Sequence, residues 1–99
     1  AAFTASLGAS QVVAVDINPR CCAFASFTAA LNGFGDCVEV LEGDLYGPVT
    51  GRRFGLILAN PPFVAAPAEG PELSLYAGGG PDGLNVTRRL LTGAPAALE

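Results

Sequence analysis

The sequence predicts an α/β fold built on a parallel sheet. Three observations predict it. Short apolar, β-branched runs alternate with segments of helical periodicity along the 99 residues. The connections between them are short, and strand–helix–strand units joined in this way pair their strands in parallel. The three runs also close on polar side chains, Asp16, Asp44 and Asn60. In open parallel sheets, ligands lie beyond the carboxyl ends of the strands.

Each element has its own justification. Ala1-Ala2-Phe3-Thr4-Ala5-Ser6-Leu7 reads as the tail of a helix, with Gly8 as its stop. Val12-Val13-Ala14-Val15, ending at Asp16, is a β-branched strand. Asn18 suits a helix cap and Pro19 the first helical position. From Arg20 to Asn32, Phe24, Phe27 and Leu31 recur at spacings of three and four, which marks them as the apolar face of a helix. Gly33 ends that helix in a left-handed turn. Val38-Glu39-Val40-Leu41 is a second strand, closing at Glu42-Gly43-Asp44. Pro48 to Arg53 is a turn-rich connection, and Phe54 to Ala59 is a third, buried strand. Val64 to Pro81 is rich in Ala, Gly, Pro and Glu and reads as one long loop, a feature that compact domains reserve mainly for function or disorder. A final helix is expected from Asp82 or Gly83 through Leu90-Leu91 to about Gly93.

Composition narrows the classes of function. The length allows one small domain with a thin stability margin. An apolar fraction of 51% argues against disorder. The net charge of −4, with neither lysine nor histidine, is the opposite of a nucleic-acid footprint. Cys21, Cys22 and Cys37 have no disulfide-framework or zinc spacing, so no metal is expected, and the thiols read as small packed groups on a helix and a strand. No apolar stretch is long enough to span a membrane. An odd cysteine count without a signal peptide predicts a cytoplasmic protein, and Asn85-Val86-Thr87 is then a chance match to a glycosylation acceptor. The chain opens without methionine and closes on Leu98-Glu99. The expected organisation is a partial domain over residues 1–97, with 98–99 as an expression-tag remnant.

Asn60-Pro61-Pro62-Phe63 is the most informative segment. Asn offers a carbonyl acceptor, the following peptide carbonyl offers another, and proline fixes φ, so the pair is held rigidly. Phe63 supplies a face on which a planar group stacks. Asn-Pro and Pro-Pro are also ordinary punctuation at strand ends. Asp16 suits the ribose hydroxyls of an adenosine cofactor, since a carboxylate accepts from two vicinal hydroxyls. Ile17 would cover one face of the adenine. Asp44 is placed to accept from the exocyclic amine, with Leu45 beside the ring. The alternatives are a helix-cap or turn acid for Asp16 and a Gly-Asp turn for Asp44.

Val13 to Pro19, Glu42 to Leu45 and Leu56 to Phe63 together resemble class I S-adenosylmethionine-dependent methyltransferases, specifically the branch with an Asn-Pro-Pro-aromatic motif. Gly78-Gly79-Gly80-Pro81-Asp82-Gly83-Leu84, with Arg88-Arg89-Leu90-Leu91, is similar to the release-factor glutamine methyltransferases of the HemK/PrmC group. The resemblance implies a Rossmann-like parallel sheet, the central part of such a domain, whose first strand, glycine-rich loop and later strands are missing from these residues. It implies S-adenosyl-L-methionine as cofactor, with Asp16, Ile17, Asp44, Leu45 and Asn60 around it. It implies that Asn60 and the Pro61 carbonyl, with Pro62 and Phe63, grip the target nitrogen. Gly55 stands where relatives often carry Asp, and Phe63 replaces the tyrosine usual in the glutamine-modifying group.

The leading expectation is N-methylation of a planar nitrogen, first a protein glutamine side chain as in release factors. A base nitrogen in ribosomal or transfer RNA is the alternative, and a small metabolite amine a third. A nicotinamide-dependent oxidoreductase also ends its second strand in an acid, but hydride transfer has no need of a rigid two-carbonyl clamp. An inactive isolated fragment is a further reading. The 99 residues alone are expected to bind the cofactor weakly or not at all, and to self-associate through exposed strand edges.

Overall fold

The computed structural model describes residues 1–66 and 77–99. The portion of the expected long loop that falls on residues 67–76 lies outside them. The chain forms two compact units, Ala1–Thr50 and Gly51–Glu99.

The first unit follows the sequence closely. Helix α1 spans Ala2–Ser6, strand β1 Val12–Asp16, helix α2 Pro19–Leu31 and strand β2 Val38–Glu42, followed by a 3-10 turn over Gly47–Val49. The strands pair in parallel, Val12 opposite Val38 and Asp16 opposite Glu42. Helix α2 has the expected start, because the Asn18 side chain accepts the Arg20 amide at 2.9 Å and Pro19 takes the first turn. Its end is a Schellman motif: the Gly33 amide donates to the Ala30 carbonyl and the Phe34 amide to the Ala29 carbonyl. Gly33 sits at φ +78°, where a Cβ would be strained. The core gathers Ala5, Ala29 and Val38, with Val12, Phe34, Cys37 and Val40 packed against them.

The apolar stripe of Phe24, Phe27 and Leu31 on α2 faces solvent; all three are exposed. The helix turns its small side chains inward, with Ala29 only 1% exposed and Cys22 and Ala25 half-buried on the same side. Small residues let the helix lie close on the two strands, and Phe34, just beyond the Schellman turn, joins the core cluster. The three cysteines form no disulfide and are half-buried, and Cys37 lies in the turn before β2 rather than in it.

The second unit departs further. Residues 55–62 form neither helix nor ladder, so the expected third strand is absent; Leu56 and Leu58 are exposed by 66% and 68%. A strand requires a hydrogen-bonded neighbour, and of residues 54–59 only Phe54 finds one among the described residues, in an isolated parallel bridge with Leu98. Helix α3 spans Asn85–Ala97. It begins later than expected because the Asp82 carboxylate accepts the Leu84 amide at 3.0 Å, holding the preceding turn outside the helix. It runs past Gly93 and carries Pro95 in its last turn, ending where Ala97 is buried. The Phe54 amide donates to the Ala97 carbonyl, the Glu99 amide to the Phe54 carbonyl, and the Arg53 guanidinium to the Leu98 carbonyl.

Candidate functional site

The carboxyl edge of β1 and β2 carries the acidic residues. Asp16 ends β1 and Glu42 ends β2, directly opposite each other in the register. The Gly43 amide donates to the Asp16 carbonyl at 2.9 Å, which carries the pairing one residue beyond the ladder and brings Asp44 to the same rim. Asp16, Glu42 and Asp44 are all exposed there. Of the three residues expected on one rim, Asp16 and Asp44 belong to this edge, while Asn60 belongs to the second unit.

The Asp16 side chain is already oriented. Its Oδ1 accepts the Asn18 amide at 2.8 Å, a local turn that fixes the carboxylate at the junction of β1 and α2. This is the turn role weighed for Asp16, and it leaves the group exposed to solvent. Ile17, also exposed, lies between the two.

Beyond Asp44 the backbone takes an uncommon form. Leu45 has φ +49°, and it is the sole non-glycine residue with positive φ among those described. A bulky side chain in that region costs roughly 1–2 kcal/mol, and such outliers gather at functional sites. The Asp44 carbonyl then accepts the Gly47 amide at 3.0 Å, closing the turn into the 3-10 segment. No feature of the sequence signalled this conformation.

A thiol belongs to the same edge. The Cys22 Sγ donates to the Asp16 carbonyl at 3.5 Å and lies 3.7 Å from the Leu41 carbonyl. Partial burial raises its pKa, and the charges of Asp16 and Glu42 raise it further, so the group is held as a neutral thiol. Its position one helical turn after Asn18 was the only sequence signal for this contact.

Asn60-Pro61-Pro62-Phe63 belongs to the second unit. Asn60 and Phe63 are exposed, the Phe63 ring by 68%, while Pro61 and Pro62 are half-buried. The motif thus presents its carboxamide and its ring outward from a rigid pair. Immediately after it, the Val64 amide donates to the Ala77 carbonyl and the Gly79 amide to the Val64 carbonyl, both at 2.8 Å. Asp82 and Arg88 form an exposed ion pair beside this turn. Hydrogen bonds from Arg88 and from the Leu84 amide hold the Asp82 carboxyl below the usual carboxylate range.

Among the described residues no cluster of three or more metal-ligating side chains occurs, and no helix is long and apolar enough to cross a membrane. A shallow apolar cleft lined by Arg20, Ala23, Phe24 and Phe27 opens on the outer face of α2. The Arg20 guanidinium stands 5.8 Å from the Phe24 ring centroid there.

Residues 1–75 match a family described as "Methyltransferase small domain". The chain is 44% identical over 71 residues to the ribosomal protein uL3 glutamine methyltransferase of Xylella fastidiosa, covering 63% of this chain and 22% of that protein. It is 37% identical over 96 residues to the uL3 glutamine methyltransferase of Bradyrhizobium diazoefficiens, covering 90% of this chain and 30% of the relative. With the release factor glutamine methyltransferase of Deinococcus radiodurans the identity is 36% over 103 residues, 95% of this chain and 35% of the relative. The chain thus spans about a third or less of the length of these relatives.

Proposed function

The chain belongs to the methyltransferase small domain family, and from that premise we propose that it supplies the cofactor rim and the substrate clamp of an S-adenosyl-L-methionine-dependent enzyme that methylates a protein glutamine side chain. When bound, this cofactor offers a methyl group on a positively charged sulfur, activated for transfer to a nucleophile. The residues fit such a group. Asp16 and Asp44 share one exposed edge, tied by the Gly43 amide, and carboxylates are acceptors for ribose hydroxyls and an exocyclic amine. An acidic edge also favours a cationic ligand electrostatically.

The roles follow from the chemistry of each side chain. Asp16, aimed by its hydrogen bond to the Asn18 amide, accepts from vicinal hydroxyls. Asp44 accepts from the amine, and Ile17 and Leu45 flank the purine. Asn60 Oδ1 and the Pro61 carbonyl accept the two N–H bonds of the target carboxamide. That grip would leave the nitrogen lone pair clear of both acceptors and would offset the positive charge that develops on nitrogen. Phe63 stacks on the flat amide. Positioning and electrostatics carry the rate, with no base required before transfer.

The substrate class rests on the names of the relatives, glutamine methyltransferases acting on uL3 or on release factors. The net charge of −4 weighs against an RNA surface. The observation that carries the proposal is the shared rim of Asp16 and Asp44. The test is Asn60→Ala in the longest natural polypeptide that carries this chain. Methyl transfer to a glutamine-bearing protein should fall by about two orders of magnitude or more, as for loss of a transition-state hydrogen-bonding group. Cofactor affinity, measured by calorimetry, should be nearly unchanged. Undiminished turnover in that variant would remove the clamp.

A further inference from the structure

The Asn60–Phe63 segment is held without a sheet. Upstream, Phe54 is anchored to Ala97 and Glu99 by backbone hydrogen bonds. Between Phe54 and Val64, the chain makes no backbone hydrogen bond to another described residue. Something other than a strand ladder must therefore fix the motif if its two carbonyls are to act as a rigid pair.

The turn at residues 77–83 provides that anchor. Val64 forms a parallel bridge with Gly78. Three backbone hydrogen bonds of 2.8 Å lock the two segments: Val64 to Ala77, Gly79 to Val64, and Ala66 to Gly80. The turn is then tied to α3, because the Asn85 amide donates to the Gly79 carbonyl at 2.9 Å. At its far end the contact is closer still. Gly83 is buried, at φ +78°, and a Cβ on it would fall 2.3 Å from the Phe63 carbonyl oxygen and 3.2 Å from the Ala65 nitrogen. Glycine is the one residue that satisfies both the backbone conformation and this approach.

We propose that Gly83 is a positioning residue for the Asn60–Phe63 motif. The 77–83 turn clasps the backbone just behind the motif and fixes the Phe63 carbonyl. Pro61 and Pro62 each have φ locked by their rings, so few soft torsions separate that fixed carbonyl from Asn60. The clasp grips the backbone while the Asn60 and Phe63 side chains remain exposed. The inference rests on the proposed clamp role of Asn60, but the clasp itself is a statement about backbone position and is read separately.

The experiment compares Gly83→Ala with Gly51→Ala in the same natural polypeptide. Gly51 has φ +82°, and a methyl group placed on it would meet nothing within 4 Å, so it carries the same backbone penalty without the intrusion. Gly83→Ala should shift the amide resonances of Phe63, Val64 and Ala66 and speed the hydrogen exchange of Val64 and Ala66, whose amides are bonded in the clasp. It should lower kcat for methyl transfer by about tenfold to a hundredfold, the scale of a small misplacement, with KM for S-adenosyl-L-methionine within about twofold. Gly51→Ala should do neither, and it should lower the melting temperature by less because it adds only the backbone penalty. Matching amide shifts and kcat in the two variants would overturn the clasp. Shifted amides in a polypeptide whose unsubstituted form transfers no methyl group would sustain the clasp and remove the clamp reading alone. If Gly83→Ala does not fold, Asp82→Asn loosens the same turn by weakening its bonds to Leu84 and Arg88, and unaltered Phe63–Ala66 amides in that variant would overturn the proposal.

Discussion

Substitutions at Phe27 and Ala29 distinguish the two faces of α2. Ala29 is 1% exposed where the helix meets β1 and β2. Ala29→Leu forces three further carbons into that contact, and overpacking a closed site costs about 1–3 kcal/mol. Phe27 is 63% exposed. Truncating a fully buried Phe to Ala costs about 3–5 kcal/mol, and with roughly a third of the ring covered the expected loss is about 1 kcal/mol, with no closed cavity left behind. At about 4–8 °C per kcal/mol for a chain of this size, Ala29→Leu should lower the melting temperature by several degrees more than Phe27→Ala. Thermal and urea unfolding followed by circular dichroism give the totals, and amide exchange at Ala14 and Leu41, whose amides face the partner strand in this register, isolates the β1–β2 unit. A larger loss for Phe27→Ala than for Ala29→Leu would refute the inward orientation of the small face.

Two further outcomes follow from the ionisable groups. The folded pKa of Asp82 is lowered by Arg88 and the Leu84 amide, so its contribution is complete above the unfolded aspartate value of about 3.9 and fades as pH falls through the lower folded value. The Leu84 amide resonance and the first turn of α3 should therefore change as pH falls below about 4, less so in 1 M salt because the pair is exposed, and Asp82→Asn should remove the step. Cys22, with its thiol pKa raised by partial burial and by Asp16 and Glu42, should alkylate with iodoacetamide more slowly in the folded chain than in urea. Asp16→Asn should speed the folded reaction; equal rates in folded and unfolded chains would contradict the assignment.

What the sequence revealed was local. Asn18-Pro19 and Gly33 bracket α2 because capping and left-handed termination involve residues within a few positions of one another. β1 and β2 were legible from β-branched runs, and their carboxyl ends placed Asp16 and Asp44 on one rim. The burial of α2 was not legible, because the helix has two apolar faces. Periodicity locates Phe24, Phe27 and Leu31 on a stripe but cannot weigh them against Cys22, Ala25 and Ala29, whose advantage is close approach to the strands. The run from Leu56 to Ala59 has strand composition, yet a strand is completed by a partner far away in sequence. The start of α3 depended on a side chain, Asp82, taking the Leu84 amide. Its end depended on burial of Ala97 outweighing Gly93 and Pro95. Neither the left-handed Leu45 nor the fit of Gly83 against Phe63 has a sequence signature: leucine does not announce a positive φ, and the Gly83 contact joins segments far apart in the chain.

The outward stripe of Phe24, Phe27 and Leu31 bears on how folding of this protein is monitored. Fluorogenic dyes such as ANS report solvent-accessible apolar surface, commonly taken as a sign of loosened packing. Here the native state offers such surface from the outset. Dye-based melting curves should begin from a bright baseline and show a muted rise, so circular dichroism is the better gauge of unfolding.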